Sequence, residues 1–288
     1  MKVLVTGATG FVGFHVARLL AARGHFVSCL CRLGSERRLR LPEVGRAERV
    51  SGDLTDAESL IRKPLGCDAV VNLVGIVRES PGSGQTFHRL HVEGVENLLD
   101  ACLEAEVGRI VHVSALRAGP EADHPYRASK YAGEEAVRRF PVRWTILRPA
   151  LIYGPGSATL RWMRRLTLGA PLLPVPVPGR RTRIQPVFVK DLAAGIAACL
   201  ERPAAEGETY DVAGPEPMTV GAMVAAVARA RGVPHWQVGV PPAAARTAAS
   251  WLRRLPGLPA PPGSLDLLGE DHVADPEPFV RATGVRLT

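Results

Sequence analysis

The chain has 288 residues, 46% of them hydrophobic and 22% charged, a balance typical of globular proteins that argues against the disordered and fibrous classes. Its net charge of +8 comes almost wholly from arginine, but few aromatic residues stand between the arginines, so nucleic acid is not an expected partner. No apolar run approaches the ~18 residues of a membrane-spanning helix, and we expect no signal peptide, whose apolar core would have to include the first strand.

Short apolar strands alternate with amphipathic helices over the first half of the chain. Strands are predicted at 3–6, 26–31, 48–51, 69–74, 109–113 and 144–147. Helices are predicted at 11–23, 87–106 and 126–140. This alternation predicts a doubly wound parallel sheet, and the nearly continuous apolar character of the strands fits a sheet that is covered on both faces.

The regular alternation ends after Pro149. Residues 151–186 are rich in Pro, Gly and Arg, and beyond them a helix, a strand and a helix are predicted at 191–201, 209–212 and 220–231. A Pro- and Ala-rich stretch then surrounds a short amphipathic piece at 246–254. We therefore expect an α/β protein with a Rossmann domain over 1–150 and a smaller, part-helical substrate lobe over 151–288. The chain is expected to return to the Rossmann sheet around 184–213.

The turn after the first strand carries three glycines, in the order Thr6-Gly7-Ala8-Thr9-Gly10-Phe11-Val12-Gly13. Gly7 permits a tight turn, Gly10 lets the backbone approach a pyrophosphate, and Gly13 allows close packing of helix on strand. The first N–H groups of the helix would face the phosphates. The spacing is GxxGxxG, not the GxGxxG of the dinucleotide fingerprint. Its position between a strand and a helix nonetheless predicts a dinucleotide site formed by Gly7, Thr9, Gly10, Phe11, Val12 and Gly13.

The second strand ends at Cys31-Arg32 without the carboxylate that would bind the ribose hydroxyls of NAD. A guanidinium at this position can stack on adenine and pair with a 2′-phosphate. This arrangement predicts a preference for NADP(H). NAD(H) stays open as the alternative, because Arg32 can also be a solvated loop residue and Glu36 follows closely.

These features resemble the short-chain dehydrogenase/reductase superfamily, in its extended or atypical branch of NAD(P)-dependent epimerase/dehydratase-like proteins. The resemblance rests on TGATGFVG and continues, in order, through Val113-Ser114-Ala115, Tyr126-xxx-Lys130, Leu147-Arg148-Pro149 and Tyr153-Gly154-Pro155-Gly156. It implies further cofactor contacts after the third, fourth and sixth strands, at Asp53, Leu54, Leu73, Val74, Gly75 and Pro149.

Several stretches resemble more closely the subfamily related to the 39-kDa, NADPH-binding accessory subunit of respiratory complex I. They are VNLVGI at 71–76, HVEG at 91–94, VHVSAL at 111–116, TRIQPV at 182–187 and EDHV at 270–273. This subfamily includes members that bind the cofactor without evident turnover, so the resemblance implies a non-catalytic alternative.

Tyr126 and Lys130 lie one helical turn apart, so their side chains leave the same face of the predicted helix. With a nicotinamide ring bound, the nearby ammonium would favour the phenolate and make Tyr126 a usable acid/base. Lys130 would also bind the nicotinamide ribose, and Ser114 would polarise a substrate carbonyl. His91 stands where extended reductases usually have asparagine, and it is either a proton relay or a structural residue. Asn97 is expected to pack.

The second lobe carries two segments in which a tryptophan adjoins arginines, RWMRR at 161–165 and WLRRL at 251–255. Such a segment can lie on anionic lipid or dock on a protein complex, or it exposes its arginines above a buried tryptophan. Asp191 is expected to cap a helix.

The five cysteines are scattered, without the spacing of metal ligands, and their odd number argues against a disulfide framework. We expect buried thiols, no metal site, and a monomeric or homodimeric protein of the cytoplasm, free or at the periphery of a membrane. Two functions stay open. One is an NADP(H)-dependent oxidoreductase or epimerase acting on a carbonyl or hydroxyl of an unidentified small molecule. The other is a non-catalytic NADPH-binding structural or redox-sensing protein.

Overall fold

The computed structural model describes residues 1–35, 37, 39, 46–168, 173–241, 244–245, 247 and 269–288. The chain divides into two compact units. The first comprises Met1–Pro149, Val189–Val212 and Asp275–Thr288, and the second comprises Ala150–Phe188 and Ala213–Ala274. Among the described residues, no helix has both the length and the apolar character that crossing a membrane requires.

The strands of the described residues, in chain order, are β1 (Lys2–Thr6), β2 (Phe26–Cys31), β3 (Arg46–Ser51), β4 (Ala69–Asn72), β5 (Arg109–Val113), β6 (Arg143–Pro149), β7 (Ile152–Tyr153), β8 (Val175–Pro178), β9 (Arg183–Ile184), β10 (Val187–Phe188), β11 (Glu208–Val212), β12 (Met218–Thr219) and β13 (Gln237–Val240). The α-helices are α1 (Phe11–Ala22), α2 (Ala57–Leu60), α3 (Gly94–Glu104), α4 (Pro125–Arg139), α5 (Ala158–Leu166), α6 (Val189–Glu201), α7 (Val220–Ala230) and α8 (Glu277–Thr283).

The first unit is built on a seven-stranded parallel sheet in the order β3–β2–β1–β4–β5–β6–β11. The predicted doubly wound Rossmann sheet is confirmed. The chain progresses outward from β1 to β3, then restarts on the other side of β1 with β4. In such a sheet, ligands bind outside the carboxyl ends of the strands at this switch point.

Apolar side chains on both faces of the sheet explain why it is covered by helices. Leu4, Val70 and Ile110 are buried in a cluster that includes Leu98 and Leu99 of α3. Helices α3 and α4 pack together, and so do α1 and α6. The alternation of strand side chains between two buried faces thus produces the two helical layers.

The structure differs from the sequence prediction in the helix expected at 87–106. A π-helical turn at Arg89–Glu93 leads into α3. A Cβ atom on Gly133 of α4 would lie 2.2 Å from the backbone oxygen of His91. This close approach of two backbones accompanies the widened turn, a feature that is frequent at functional sites.

Asp191 lies within the first turn of α6 and not before it. Its carboxylate accepts hydrogen bonds from the backbone N–H (2.8 Å) and the hydroxyl (2.9 Å) of Thr288. The expectation that Asp191 caps the helix is therefore wrong, and the side chain ties α6 to the last residue of the chain.

The second unit combines α5 and α7 with three two-stranded sheets, β7–β10, β9–β12 and β8–β13. Its core contains Trp162 and Met163 of α5 together with Val175, Val177 and Val224. Because Trp162 is buried there, the segment at 161–165 exposes its arginines above a buried tryptophan and has no aromatic side chain to offer to lipid. The segment at 251–255, including Trp251, lies outside the described residues, as does most of the piece at 246–254.

Candidate functional site

The glycine turn between β1 and α1 is closed around its own backbone. Gly7 has φ +66°, and a Cβ there would lie 3.1 Å from the carbonyl of Leu73. A Cβ on Gly13 would lie 2.2 Å from the oxygen of Gly7. The Gly10 N–H donates to the same oxygen at 2.9 Å, and α1 starts at Phe11 without a side-chain cap. The turn thus presents an uncapped, electropositive helix terminus at the carboxyl edge of the sheet.

The other predicted cofactor residues follow the carboxyl ends of the neighbouring strands, as parallel strands require. Around the turn, Thr9, Phe11 and Val12 are half-buried. Arg32 follows β2, Asp53 and Leu54 follow β3, Leu73, Val74 and Gly75 follow β4, and Pro149 ends β6.

A network of buried polar side chains, which the sequence analysis did not predict, joins β1, β4 and β5. The Thr6 hydroxyl donates to Asn72 Oδ1 at 2.7 Å and accepts from the N–H of Leu73 at 3.2 Å. Asn72 Nδ2 lies 3.1 Å from His112 Nδ1. Since the Asn72 amide donates this bond, His112 carries its proton on Nε2. Burial holds the pKa of His112 well below its usual value, so the ring is neutral. The network holds the segment after β4 against Gly7.

The residues that the sequence predicts near adenine divide into exposed and engaged groups. Arg32 is exposed, and its backbone oxygen accepts from Ser35 N at 2.9 Å. The Asp53 carboxylate accepts two hydrogen bonds from Thr55, each 3.0 Å long. The Leu54 side chain is buried in the core. Asp53 and Leu54 therefore shape the loop after β3, and their contacts with adenine stay a prediction.

Asn97, which is expected to pack, lies against the loop after β3. Asn97 Nδ2 donates to the backbone oxygen of Leu54 at 2.8 Å, so Asn97 packs between elements. Glu36 lies outside the described residues.

Of the three predicted catalytic residues, Ser114 directly follows β5, and Tyr126 and Lys130 belong to α4. Lys130 is almost fully buried, and its Nζ donates to the backbone oxygen of Val113 at 2.8 Å. The same Nζ would lie 3.6 Å from a Cβ on Gly75. Ser114 is buried next to Val113, and its hydroxyl has no hydrogen-bond partner among the described residues. Tyr126 lies one turn before Lys130 on α4.

Burial perturbs both members of the Tyr–Lys pair. It lowers the pKa of Lys130 to about 8, against the opposing charge of Glu134. It raises the pKa of Tyr126 to about 12, against the opposing charge of Arg127. The protein alone therefore does not give the lowered tyrosine pKa that the sequence analysis expects with a nicotinamide ring bound.

His91 is buried between the segment after β4 and α4. Its Nε2 accepts from the backbone N–H of Ile76 at 3.0 Å, so Nδ1 carries the proton and donates to Ser129 Oγ at 2.8 Å. The ring stacks on Phe87 and meets the Tyr126 ring edge to face. Burial, with the charge of Lys130, lowers the pKa of His91 to about 3. Of the two alternatives for His91, this geometry favours the structural one.

A buried carboxylate that sequence reasoning missed anchors α4 to β6. Glu134 is fully buried and accepts two hydrogen bonds from Arg148, at 2.8 and 2.6 Å. Arg138 donates to the same carboxylate at 2.8 Å. Two guanidinium groups thus compensate one buried charge, and the helix that carries Tyr126 and Lys130 is fixed against the sheet.

These features fit a nicotinamide dinucleotide. The glycine turn leaves no space for Cβ atoms, the α1 terminus is uncapped, and the Ser114 hydroxyl is buried without a partner among the described residues. Within the same part of the chain, no group of three or more His, Cys, Asp or Glu could hold a metal ion. All five cysteines are free and buried, and burial raises the pKa of Cys29, for example, to about 11.

Comparison with known proteins places this site in a family. Residues 3–213 match the family model described as NAD dependent epimerase/dehydratase family. The chain is 31% identical over 218 residues to NADH dehydrogenase (ubiquinone) 1 alpha subcomplex subunit 9, mitochondrial, of Dictyostelium discoideum, covering 75% of this chain and 60% of that protein. It is 34% identical over 202 residues to ceramide reductase of Caulobacter vibrioides, covering 70% and 61%. The chain thus spans about 60% of the length of these curated relatives.

A solved structure shares the whole fold. UDP-glucose 4-epimerase of Thermus thermophilus, in complex with NAD, superposes with a TM-score of 0.75 at 25% identity, covering 100% of this chain and 94% of that one. The resemblances to extended reductases and to the complex I-related subfamily are both confirmed. The chain belongs to the NAD dependent epimerase/dehydratase family.

Proposed function

We propose that the chain binds a nicotinamide dinucleotide at the glycine turn, with a preference for NADP(H), and acts as an oxidoreductase or epimerase on a carbonyl or hydroxyl of a small molecule. The observation that carries the proposal is the Ser114 hydroxyl, buried at the end of β5 without a partner among the described residues. A buried hydroxyl without a partner costs roughly 1–3 kcal/mol. Buried polar groups are nearly always paired, with protein, water or a ligand, and we assign the partner of Ser114 to the ligand because Ser114 directly follows β5 at the carboxyl edge of the sheet.

The bound dinucleotide supplies hydride transfer at the substrate carbon. Ser114 Oγ donates a hydrogen bond to the substrate oxygen. Tyr126 Oη gives a proton to that oxygen in the reductive direction and takes it back in the oxidative direction. Lys130, with its pKa of about 8, is mainly an ammonium at neutral pH and stabilises the phenolate form of Tyr126.

The proposed preference for NADP(H) rests on Arg32, which directly follows β2 and is exposed. A guanidinium forms paired hydrogen bonds with a phosphate, and no carboxylate stands at the end of this strand to bind the ribose hydroxyls. The Thermus thermophilus epimerase was solved with NAD, so this preference distinguishes our proposal for the present chain from that relative.

A second candidate is a non-catalytic protein in which the dinucleotide stabilises the fold within a larger assembly. It is supported by the 31% identity to a complex I subunit and by the raised pKa of Tyr126. Both candidates share the dinucleotide site, and the free, buried cysteines support a cytoplasmic location for either.

Thermal unfolding with NADPH, NADP⁺, NADH and NAD⁺ tests the shared site. A ligand of the folded state at one hundred times its Kd adds about 2.7 kcal/mol to the free energy of unfolding. We expect the larger shift with the phosphorylated pair, and Arg32→Ala should remove the difference. Arg49→Ala, an exposed arginine on the adjacent strand β3, is the matched control. No shift with any dinucleotide would reject both candidates.

A further inference from the structure

The sheet β8–β13 of the second unit exposes one apolar face. The two strands pair in parallel, with Val238 opposite Pro176. Val175 and Val177 point into the core of the unit, so the alternate positions point outward. On that outward side Pro176 is exposed, Trp236 is 63% exposed and Val238 is 49% exposed. Trp236 belongs to the same ladder, because its backbone oxygen accepts from Val175 N at 2.9 Å.

The edge of this sheet cannot recruit a further strand at β8. The N–H groups of Val175 and Gly179 are used by β13, since they donate to the oxygens of Trp236 and Val240. The residues between them, whose backbone N–H groups would point to the free edge of β8, are Pro176 and Pro178, and proline carries no N–H group. The β8 edge therefore offers no N–H groups to a partner strand, whereas the outward face of the sheet offers apolar side chains.

The second unit, to which this face belongs, is rich in arginine. Residues 150–188 contain no Asp or Glu and six arginines, at positions 161, 164, 165, 180, 181 and 183. Arg180 lies at the sheet itself, because its Nη1 donates to the backbone oxygen of Gln237 at 3.2 Å. Arg164, Arg165 and Arg181 are exposed.

An anionic lipid surface fits this combination better than a second copy of the chain does. Two copies meeting at this face would bring like charges together, which opposes association. An exposed tryptophan ring on a surface that also carries guanidinium groups suits the interface between lipid headgroups and acyl chains, where one side is apolar and the other is wet. Arg180 at the sheet and the neighbouring Arg181 are both exposed and can form charge-assisted hydrogen bonds with lipid phosphates.

We propose that the second unit docks on anionic membranes through this apolar face, defined by Pro176, Trp236 and Val238. Trp236 enters the headgroup region, and Arg180 and Arg181 contact the lipid phosphates. The proposal depends on the second unit alone and is independent of the dinucleotide site.

The test is co-sedimentation of the full chain with vesicles of phosphatidylcholine alone or mixed with phosphatidylglycerol. We expect binding to the anionic vesicles only, and weaker binding as salt is added. Trp236→Ala should weaken this binding about tenfold, because the apolar surface of the ring is no longer buried. Leu103→Ala, which removes a 53% exposed side chain on α3 of the first unit, should leave it unchanged. Since Trp236 is exposed, its replacement should not change the unfolding temperature.

Quenching by brominated lipid separates the two candidate tryptophans. Trp236→Phe should lose most of the quenching, whereas Trp251→Phe should retain it. The proposal is overturned if anionic vesicles do not sediment the protein, or if Trp236→Ala binds them as well as the unaltered chain. It is equally overturned if sedimentation velocity without lipid shows a dimer that Trp236→Ala dissociates, because the face then belongs to a second copy.

Discussion

Replacement of Ser114 by alanine should stabilise the free protein and lower the kcat of the proposed reaction by about 10²–10³-fold. The Ser114 hydroxyl is buried and has no partner among the described residues, so it carries the cost of desolvation without a compensating hydrogen bond. Removing it should recover part of the ~1–3 kcal/mol cost of an unsatisfied group, while the loss of one oxygen leaves little empty volume. We expect a net gain of about 1 kcal/mol in the free energy of unfolding, or roughly 2–4 °C for a chain of this size.

Ser28 provides a matched control, because it is also a buried serine at a sheet position. Its hydroxyl donates to the Glu48 carboxylate at 2.7 Å, a bond that is the main cause of the lowered pKa of Glu48. Ser28→Ala should therefore lower the free energy of unfolding, by about 1–3 kcal/mol.

Urea denaturation of the two variants, followed by circular dichroism, measures both changes. The essential result is that the free energy of unfolding rises in Ser114→Ala and falls in Ser28→Ala, since the two substitutions are chemically identical. If Ser114→Ala destabilises the protein as Ser28→Ala does, the Ser114 hydroxyl has a partner within the protein, and its role toward a substrate oxygen loses its physical basis.

Three further predictions concern α4. Tyr126→Phe should lower kcat, measured by NADPH absorbance, by about 10²–10⁴-fold with any carbonyl compound that the protein reduces. The Kd of NADPH, measured by fluorescence titration, should stay within about twofold. An unchanged kcat would show that another group supplies the proton. Burial lowers the pKa of Lys130 to about 8, whereas the lysine of the unfolded chain keeps its proton up to about pH 10.4. The free energy of unfolding, measured with urea, should therefore rise between pH 8 and about 9.5 relative to that of Lys130→Met, by up to ~1.4 kcal/mol per pH unit. If the two proteins show the same dependence of unfolding free energy on pH, Lys130 is not a buried ammonium. Glu134→Gln should cost about 3–5 kcal/mol because the Arg148 guanidinium loses its buried counter-charge. Glu135→Gln, at a half-buried ion pair on the same helix, should cost less than about 1 kcal/mol, and equal losses would refute the anchoring role of Glu134.

Much of the fold and of the cofactor site is determined by local sequence. Gly7 and Gly13 are recognisable because each requirement, a positive φ or a missing Cβ, concerns the residue and its immediate turn. The alternation of apolar strands and helices predicts a doubly wound sheet, since each element must bury its apolar face against the next. Once the strands are parallel, their carboxyl ends share one edge, which places Arg32 and Ser114 on that edge together with the glycine turn.

Other features depend on strands that meet only in the folded chain. The Thr6–Asn72 hydrogen bond joins residues 66 positions apart, and Asn72–His112 joins residues 40 apart. Nothing in the spacing of these polar residues distinguishes a buried network from a solvated surface, because their neighbours are set by strand order and register.

The protonation states were also decided by tertiary structure. The Tyr126-xxx-Lys130 spacing predicts a shared helix face, but burial determines that the pKa of Tyr126 rises and that of Lys130 falls. His91 could be a relay or a structural residue by sequence. Its bonds to Ile76 and Ser129 require the π-helical turn and α4 to lie side by side, which the sequence alone does not specify. Sequence thus specified which groups are present at the carboxyl edge, and packing determined their charge and their partners, because desolvation depends on everything that surrounds a group in space.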